Sequence, residues 1–188
     1  MQTLSEGLTK LIESELVSKE WIEKCPEAFQ YFYDNIGPVL KETSYYPETK
    51  NIFRAFSECN PENVKVVILG QDPYFDGSAT GLAFDNLRAQ RKISPSLRKI
   101  LKEMDDDMGD IETWTPEHLL MSPSHLGYLP QLGTLLWNTA LTVEPNKAGS
   151  HIELWKPFTE KIVEYLNTKA NIVWILWGNY AKAFNEKI

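Results

Sequence analysis

A run at 64–69, apolar but for Lys65, opens directly onto Gly70-Gln71-Asp72-Pro73-Tyr74, which sets an amide, a carboxylate and a phenol at the end of a predicted buried strand. A carboxylate there can hold a water or face a developing positive charge, and an amide can both give and accept hydrogen bonds. Proteins of the α/β class keep their chemistry in such strand-end loops. Two other segments end alike: Asn138 follows Leu135-Leu136-Trp137, and an apolar run at 172–177 ends in Gly178-Asn179. Three loops are therefore expected to converge on one crevice. Structural alternatives stand beside this one. Asp before Pro is a common turn former, Tyr74 after Pro can cover a turn, and Phe84 in Gly81-Leu82-Ala83-Phe84 has the setting of a core aromatic. Asn138 is less easily explained, because an amide in an apolar strand is costly without partners.

The elements that would carry these loops follow from periodicity. Residues 4–57 read as helical, with breaks near Pro26, Gly37-Pro38 and Tyr46-Pro47, since Leu8, Leu11 and Ile12, then Ile52, Phe53 and Phe56, recur at helical spacing. Strands are predicted at 64–69, 82–84, 135–143 and 172–177, separated by helices, which argues for a parallel sheet covered on both faces. Ser94 ahead of Pro95 marks one helix start. The run Ser150-His151-Ile152-Glu153 has the pattern of a capping box ahead of Trp155, Phe158, Ile162 and Leu166. The stretch at 105–130, with Gly109, Pro116, Pro123, Gly127 and Pro130, reads as a long mixed loop.

With 188 residues and 43% hydrophobic content, the chain suits one well-filled domain spanning 1–188. No apolar run approaches bilayer length, and Glu6, Lys10, Glu13 and Glu15 stand where a signal peptide needs an apolar stretch, so no membrane association is expected. Cys25 and Cys59 are widely separated with no second ligand at finger-like spacing, which predicts reduced thiols rather than a metal site. The formal net charge is -7, yet Arg88, Arg91, Lys92, Arg98, Lys99 and Lys102 follow one another without an intervening carboxylate. Acids cluster just after, at Glu103, Asp105, Asp106, Asp107, Asp110 and Glu112. This is either a solvated charged helix or one edge of a DNA-binding face.

Six blocks in order resemble the family-1 uracil-DNA glycosylases: Tyr46-Pro47 with Ile52-Phe53-Arg54-Ala55-Phe56, then Val67 through Tyr74, Gly81-Leu82-Ala83-Phe84, Ser94-Pro95-Ser96-Leu97, the segment 135–143, and Leu176-Trp177-Gly178. The resemblance covers about residues 45–184. It implies a three-layer α/β/α fold around a central parallel four-stranded sheet. It also implies an enzyme that flips uracil out of DNA and hydrolyses its N-glycosidic bond, leaving an abasic site for base excision repair, with no metal or organic cofactor. Asp72 matches the family's water-activating aspartate. Phe84 would stack on the base, Asn138 would read O4 and N3–H, and Tyr74 would fill the space of a thymine methyl. Gln71 would contact the base or its sugar-phosphate, while Ser96 and Asn179 would hold the DNA backbone.

The sequence departs from the family pattern in places. Phe75 stands where His is common after the Asp-Pro-Tyr motif, and Asn179 where Ser is common. Family members continue into another strand and a His-Pro-Ser-Pro-Leu loop, whereas this sequence ends at Ile188. The last strand is therefore expected to be missing, and with it a leaving-group histidine. That leaves either a shortened enzyme of reduced activity or a DNA-binding or assembly subunit whose 171–177 strand edge is covered by a protein partner. Ser122-Pro123-Ser124-His125-Leu126 echoes the absent loop in the wrong order and place. His151 reads as a structural residue in a helix cap, and an acidic DNA mimic has no use for the pocket residues. The expected location is the cytoplasm of a bacterial cell or virus-infected host, or the nucleus of a eukaryote.

Overall fold

The computed structural model describes residues 4–90, 93–109 and 121–188. Three parallel strands form the centre, β1 (Val66–Gly70), β2 (Thr134–Asn138) and β3 (Val173–Leu176), in the order β2-β1-β3. Register pairs Val67 with Leu135 and Trp174, and Gly70 with Asn138. β1 and β2 are nearly all apolar because both of their faces are covered. No fourth strand is present among the described residues.

One face of the sheet carries most of the core. α1 (Glu6–Glu13), α2 (Lys19–Lys24), α3 (Pro26–Tyr31), α4 (Gly37–Lys41) and α5 (Arg54–Glu58) lie on it with α7 (Ile152–Leu166). The cement is aromatic. Phe56 meets Trp137 of β2 at 5.6 Å and Trp21 at 5.0 Å between ring centroids, and Phe158 of α7 meets Phe29 at 5.4 Å. The mostly edge-on geometry is the one ring quadrupoles favour. α6 (Pro95–Met108) lies across the other face, separated from Ile68 and Leu136 by an apolar groove of about 730 Å³. A short α8 (Asn179–Lys182) follows β3.

Several boundaries differ from the sequence-based expectations. The first strand runs two residues later at its start than 64–69, and the second stops at Asn138 rather than 143. Residues 82–84 are not a strand: a turn takes their place, joined to β2 through Ala83 N–H donating to Leu136 O at 3.1 Å. Gly37-Pro38 does not break the chain but begins α4, after a wide turn over Phe32–Ile36. α6 extends through Asp105, Asp106 and Asp107 to Met108, shortening the expected loop at 105–130, and Met108 at its end is exposed. Ser150 does not cap α7: its hydroxyl accepts from Glu144 N–H at 2.8 Å, and the helix starts after His151. Ser94 does cap α6, accepting from Leu97 N–H at 3.2 Å. Cys25 and Cys59 are free and buried, and burial pushes their thiols up to about 12 and about 11. Arg91, Lys92, Asp110, Glu112, Pro116 and His118 lie outside the described residues.

Candidate active site

Parallel pairing brings the three strand ends to one level, and their loops remain bonded side by side. Gly70 O accepts from Thr139 N–H and Gln71 O from Ala140 N–H, each at 3.0 Å, while Leu69 O accepts from Trp177 N–H at 3.0 Å. Thr139 adds its hydroxyl to Gln71 O at 2.7 Å. The result is a recess of about 80 Å³ lined by Gln71, Asp72, Tyr74, Phe84, Ser96 and Asn138, closed by Pro73, Leu82 and Leu141. That is well below the roughly 300–1,000 Å³ of pockets for drug-sized ligands, and suits a single small ring.

Asp72 is half-buried. One carboxylate oxygen accepts from Gly149 N–H at 2.5 Å. Burial raises its pKa above the ordinary carboxylate value, opposed by that N–H and by the Gln71 side chain. A carboxylate pinned through one oxygen and made more basic by desolvation is suited to hold a water. Its partner Gly149 escaped the sequence, since the two lie 77 positions apart; a glycine just ahead of the predicted helix start was the only signal.

Asn138 closes β2 at 8% exposure, and its amide takes part in no side-chain hydrogen bond among the described residues. Its donor and acceptor are therefore unengaged within the described residues. Phe84 has φ 64°, a conformation that costs a bulky residue about 1–3 kcal/mol. Gly81, at φ 87°, opens the turn: a β-carbon there would lie 2.1 Å from Asn51 O. The Phe84 ring rests over Gly70 and meets the Trp177 ring edge-on at 5.0 Å. Gly70 leaves the room these two side chains occupy, because a β-carbon on it would sit 2.3 Å from Asn138 Oδ1 and 2.9 Å from Phe84 Cζ.

Tyr74 is held rather than free. Its hydroxyl donates to Phe84 O at 3.2 Å and bonds the Ser94 hydroxyl at 2.5 Å. These two partners were not foreseen from the sequence. Burial raises the phenol's pKa, so it stays protonated and able to donate.

Ser96, second residue of α6, is exposed at the rim of the recess, and Asn179 is exposed at the start of α8 outside its lining. His151 is buried, its Nδ1 bonded to the Thr142 hydroxyl at 2.8 Å, and His125 and His151 both lie outside the recess lining. Ser124 is buried and accepts from Arg54 Nη2 at 3.2 Å, which gives the 122–126 segment a structural place. Among the described residues no three of His, Cys, Asp and Glu group as metal ligands, and no helix is long and apolar enough to cross a membrane.

Comparison with known proteins accords with this geometry. Residues 56–188 match the family model described as the uracil DNA glycosylase superfamily. A uracil-DNA glycosylase of Exiguobacterium sibiricum is 37% identical, the match covering 86% of this chain and 71% of that protein. One from Campylobacter jejuni is 34% identical, covering 95% and 77% respectively. Among solved structures, UNG of Nitratifractor salsuginis superposes with a TM-score of 0.73 at 23% identity over 99% of this chain and 84% of that one. The mimivirus uracil-DNA glycosylase gives 0.70 at 21% identity over 100% and 72%. Sequence blocks, parallel sheet and family match agree: the chain belongs to the uracil DNA glycosylase superfamily.

Proposed function

We propose that this protein removes uracil from DNA by hydrolysing the bond between the base and its deoxyribose, the first step of base excision repair. The carrying observation is the convergence of Asp72, Tyr74, Phe84 and the unengaged Asn138 amide on one ring-sized recess. A base can reach such a recess only after leaving the duplex stack. There Phe84 offers its ring face, and Asn138 pairs with O4 and N3–H of uracil, a pattern that cytosine does not present. The anchored Tyr74 ring occupies the space a thymine methyl would need. Gln71 contacts the base or its sugar-phosphate from the same loop.

The carboxylate of Asp72 orients water toward the anomeric carbon, and its charge favours the oxocarbenium-like sugar. The C1′–N1 bond breaks with its electron pair going to uracil. Water then adds its oxygen to C1′, one proton passes to Asp72, and uracil ultimately takes up a proton. The protein needs no metal or organic cofactor for this hydrolysis. Ser96 and Asn179, exposed near helix starts, are suited to bond phosphates without adding net charge.

The outer edge of β3 supports a partner as well. Val173 is 57% exposed, and among the described residues β3 pairs only with β1, so we propose that a further strand, from another chain, covers the 171–177 edge. We place the protein in the cytoplasm of a bacterial cell, in keeping with its bacterial relatives.

The test is an excision assay on matched oligonucleotides carrying uracil, thymine or cytosine at one position, with abasic sites cleaved by alkali. Cleavage of the uracil strand alone is expected. Equal cleavage of all three, or of none, contradicts the proposal.

A further inference from the structure

The recess depends on Phe84 keeping a backbone conformation that its side chain disfavours, so something must hold it. The adjacent residue supplies the means. Asp85 is 0% exposed and does not line the recess. Its Oδ1 accepts from Leu126 N–H at 2.9 Å and its Oδ2 from the Thr80 hydroxyl at 3.1 Å, while Arg54 Nη1 stands 3.7 Å from Oδ2. The carboxylate thus ties the start of the turn, at Thr80, to a segment more than forty residues on.

Arg54 is itself nearly buried, its side chain 12% exposed. Nη1 donates to Thr80 O and Nη2 to the Ser124 hydroxyl, each at 3.2 Å, and Nε donates to Glu58 at 2.6 Å. The planar guanidinium fork reaches all of these from one position, which a lysine cannot do. A closed circuit completes the arrangement. Asn86 Oδ1 accepts from Ser94 N–H at 2.9 Å, the Ser94 hydroxyl bonds the Tyr74 hydroxyl, and Tyr74 donates back to Phe84 O. Residues 84, 85 and 86 are therefore gripped in succession from three directions.

A buried ion pair is a costly way to obtain stability alone, and apolar substitutes often do as well; its attested use is to fix one conformation among several. We propose that Asp85, through its pairing with Arg54, is the positioning residue that holds the Phe84 ring over Gly70 and so sets the base recess. The role in base selection rests on the uracil reading above; the positioning does not.

Asp85→Asn keeps the size and one acceptor but loses the charge facing Arg54. Two measurements are made on it: inhibition of excision by free uracil, and the ¹⁹F spectrum of protein labelled with 5-fluorotryptophan. The Trp177 resonance, assigned with Trp177→Phe, reports on the Phe84 ring that it touches. Misplacing a site group by about 1 Å costs on the order of 100-fold, so the uracil inhibition constant is expected to rise about 10- to 100-fold, and kcat/KM to fall in step. The Trp177 resonance is expected to shift or split while far-UV circular dichroism stays unchanged. Arg54→Lys is expected to give the same changes to a smaller degree, and serves in place of Asp85→Asn if that variant does not fold. The double variant Asp85→Asn/Arg54→Lys is expected to lose no more than the worse single one. An unmoved Trp177 resonance with an unchanged inhibition constant overturns the proposal. If the wild-type protein neither excises nor is inhibited by uracil, the functional reading fails, and the resonance alone then decides the positioning claim.

Discussion

Gly70 shows how narrowly the recess is drawn. Its backbone is ordinary strand, so alanine is tolerated conformationally, but the added methyl would meet Asn138 Oδ1 at 2.3 Å and Phe84 Cζ at 2.9 Å. Both are ends of side chains that can turn away. Gly70→Ala is therefore expected to fold with little change in Tm and to lose about 100-fold in kcat/KM, since the displaced groups are those proposed to face the base. A large fall in Tm with activity retained per folded molecule would show that the close approach is structural only. Asp72 gives the opposite trade. Burial raises its folded-state pKa, so the folded chain holds that proton more tightly than the unfolded chain does. Above the ordinary carboxylate value of about 3.9, ionised Asp72 lowers stability, increasingly until the pH passes the raised folded value. Asp72→Asn removes that cost while its amide oxygen can still accept from Gly149. Its Tm should exceed that of wild type at pH 7, with the gap closing as pH falls toward 4; a lower Tm at pH 7 would mean that the carboxylate is stabilising.

At the scale of elements, β3 is the exposed member of the sheet. A lysine at Val173 places a charge on an edge that is 57% exposed and pairs on one side only among the described residues. Val173→Lys should reduce light scattering at high protein concentration with a stability change within about 0.5 kcal/mol. Unchanged scattering would show that this edge does not drive association. The same elements show where sequence was informative. β1 and β2 were legible because strands buried on both faces read as continuous apolar runs. Residues 82–84 read the same way but form a turn: Gly81 and Phe84, both at positive φ, reverse the chain on either side of Ala83, and burial of a short apolar run needs no ladder. Ser150 fitted a capping box by spacing, yet its hydroxyl is engaged by Glu144 across a tight loop. Gln71, Asp72, Tyr74, Phe84, Ser96 and Asn138 were all named from sequence and meet in one recess. What holds them was not visible: Gly149 on Asp72, Ser94 on Tyr74 and Asp85 behind Phe84 are contacts between distant segments, fixed by folding rather than by local pattern.

For the molecule as a whole, a net charge of -7 must be reconciled with a polyanionic substrate. Arg98 and Lys99 are exposed on α6 just beyond Ser96, while Lys102 is engaged by Asp106 on the same helix. Among the described residues, Arg98 and Lys99 are thus cations suited to phosphate contact beside the recess. Replacing both with alanine should weaken binding equally for uracil- and thymine-containing duplexes and reduce the slope of log K against log salt by about 2. An unchanged slope would remove this face of α6 from the DNA interface. The claim on which the rest depends is that the Asp72 carboxylate hydrolyses the uracil bond in this recess, and the direct test is the single-turnover rate of uracil release as a function of pH. Wild type should lose rate as pH falls through the raised pKa of Asp72. Asp72→Asn should be slower by about 10²- to 10⁴-fold and flat over that interval. Equal rates, or the same acid limb in both proteins, would contradict the account.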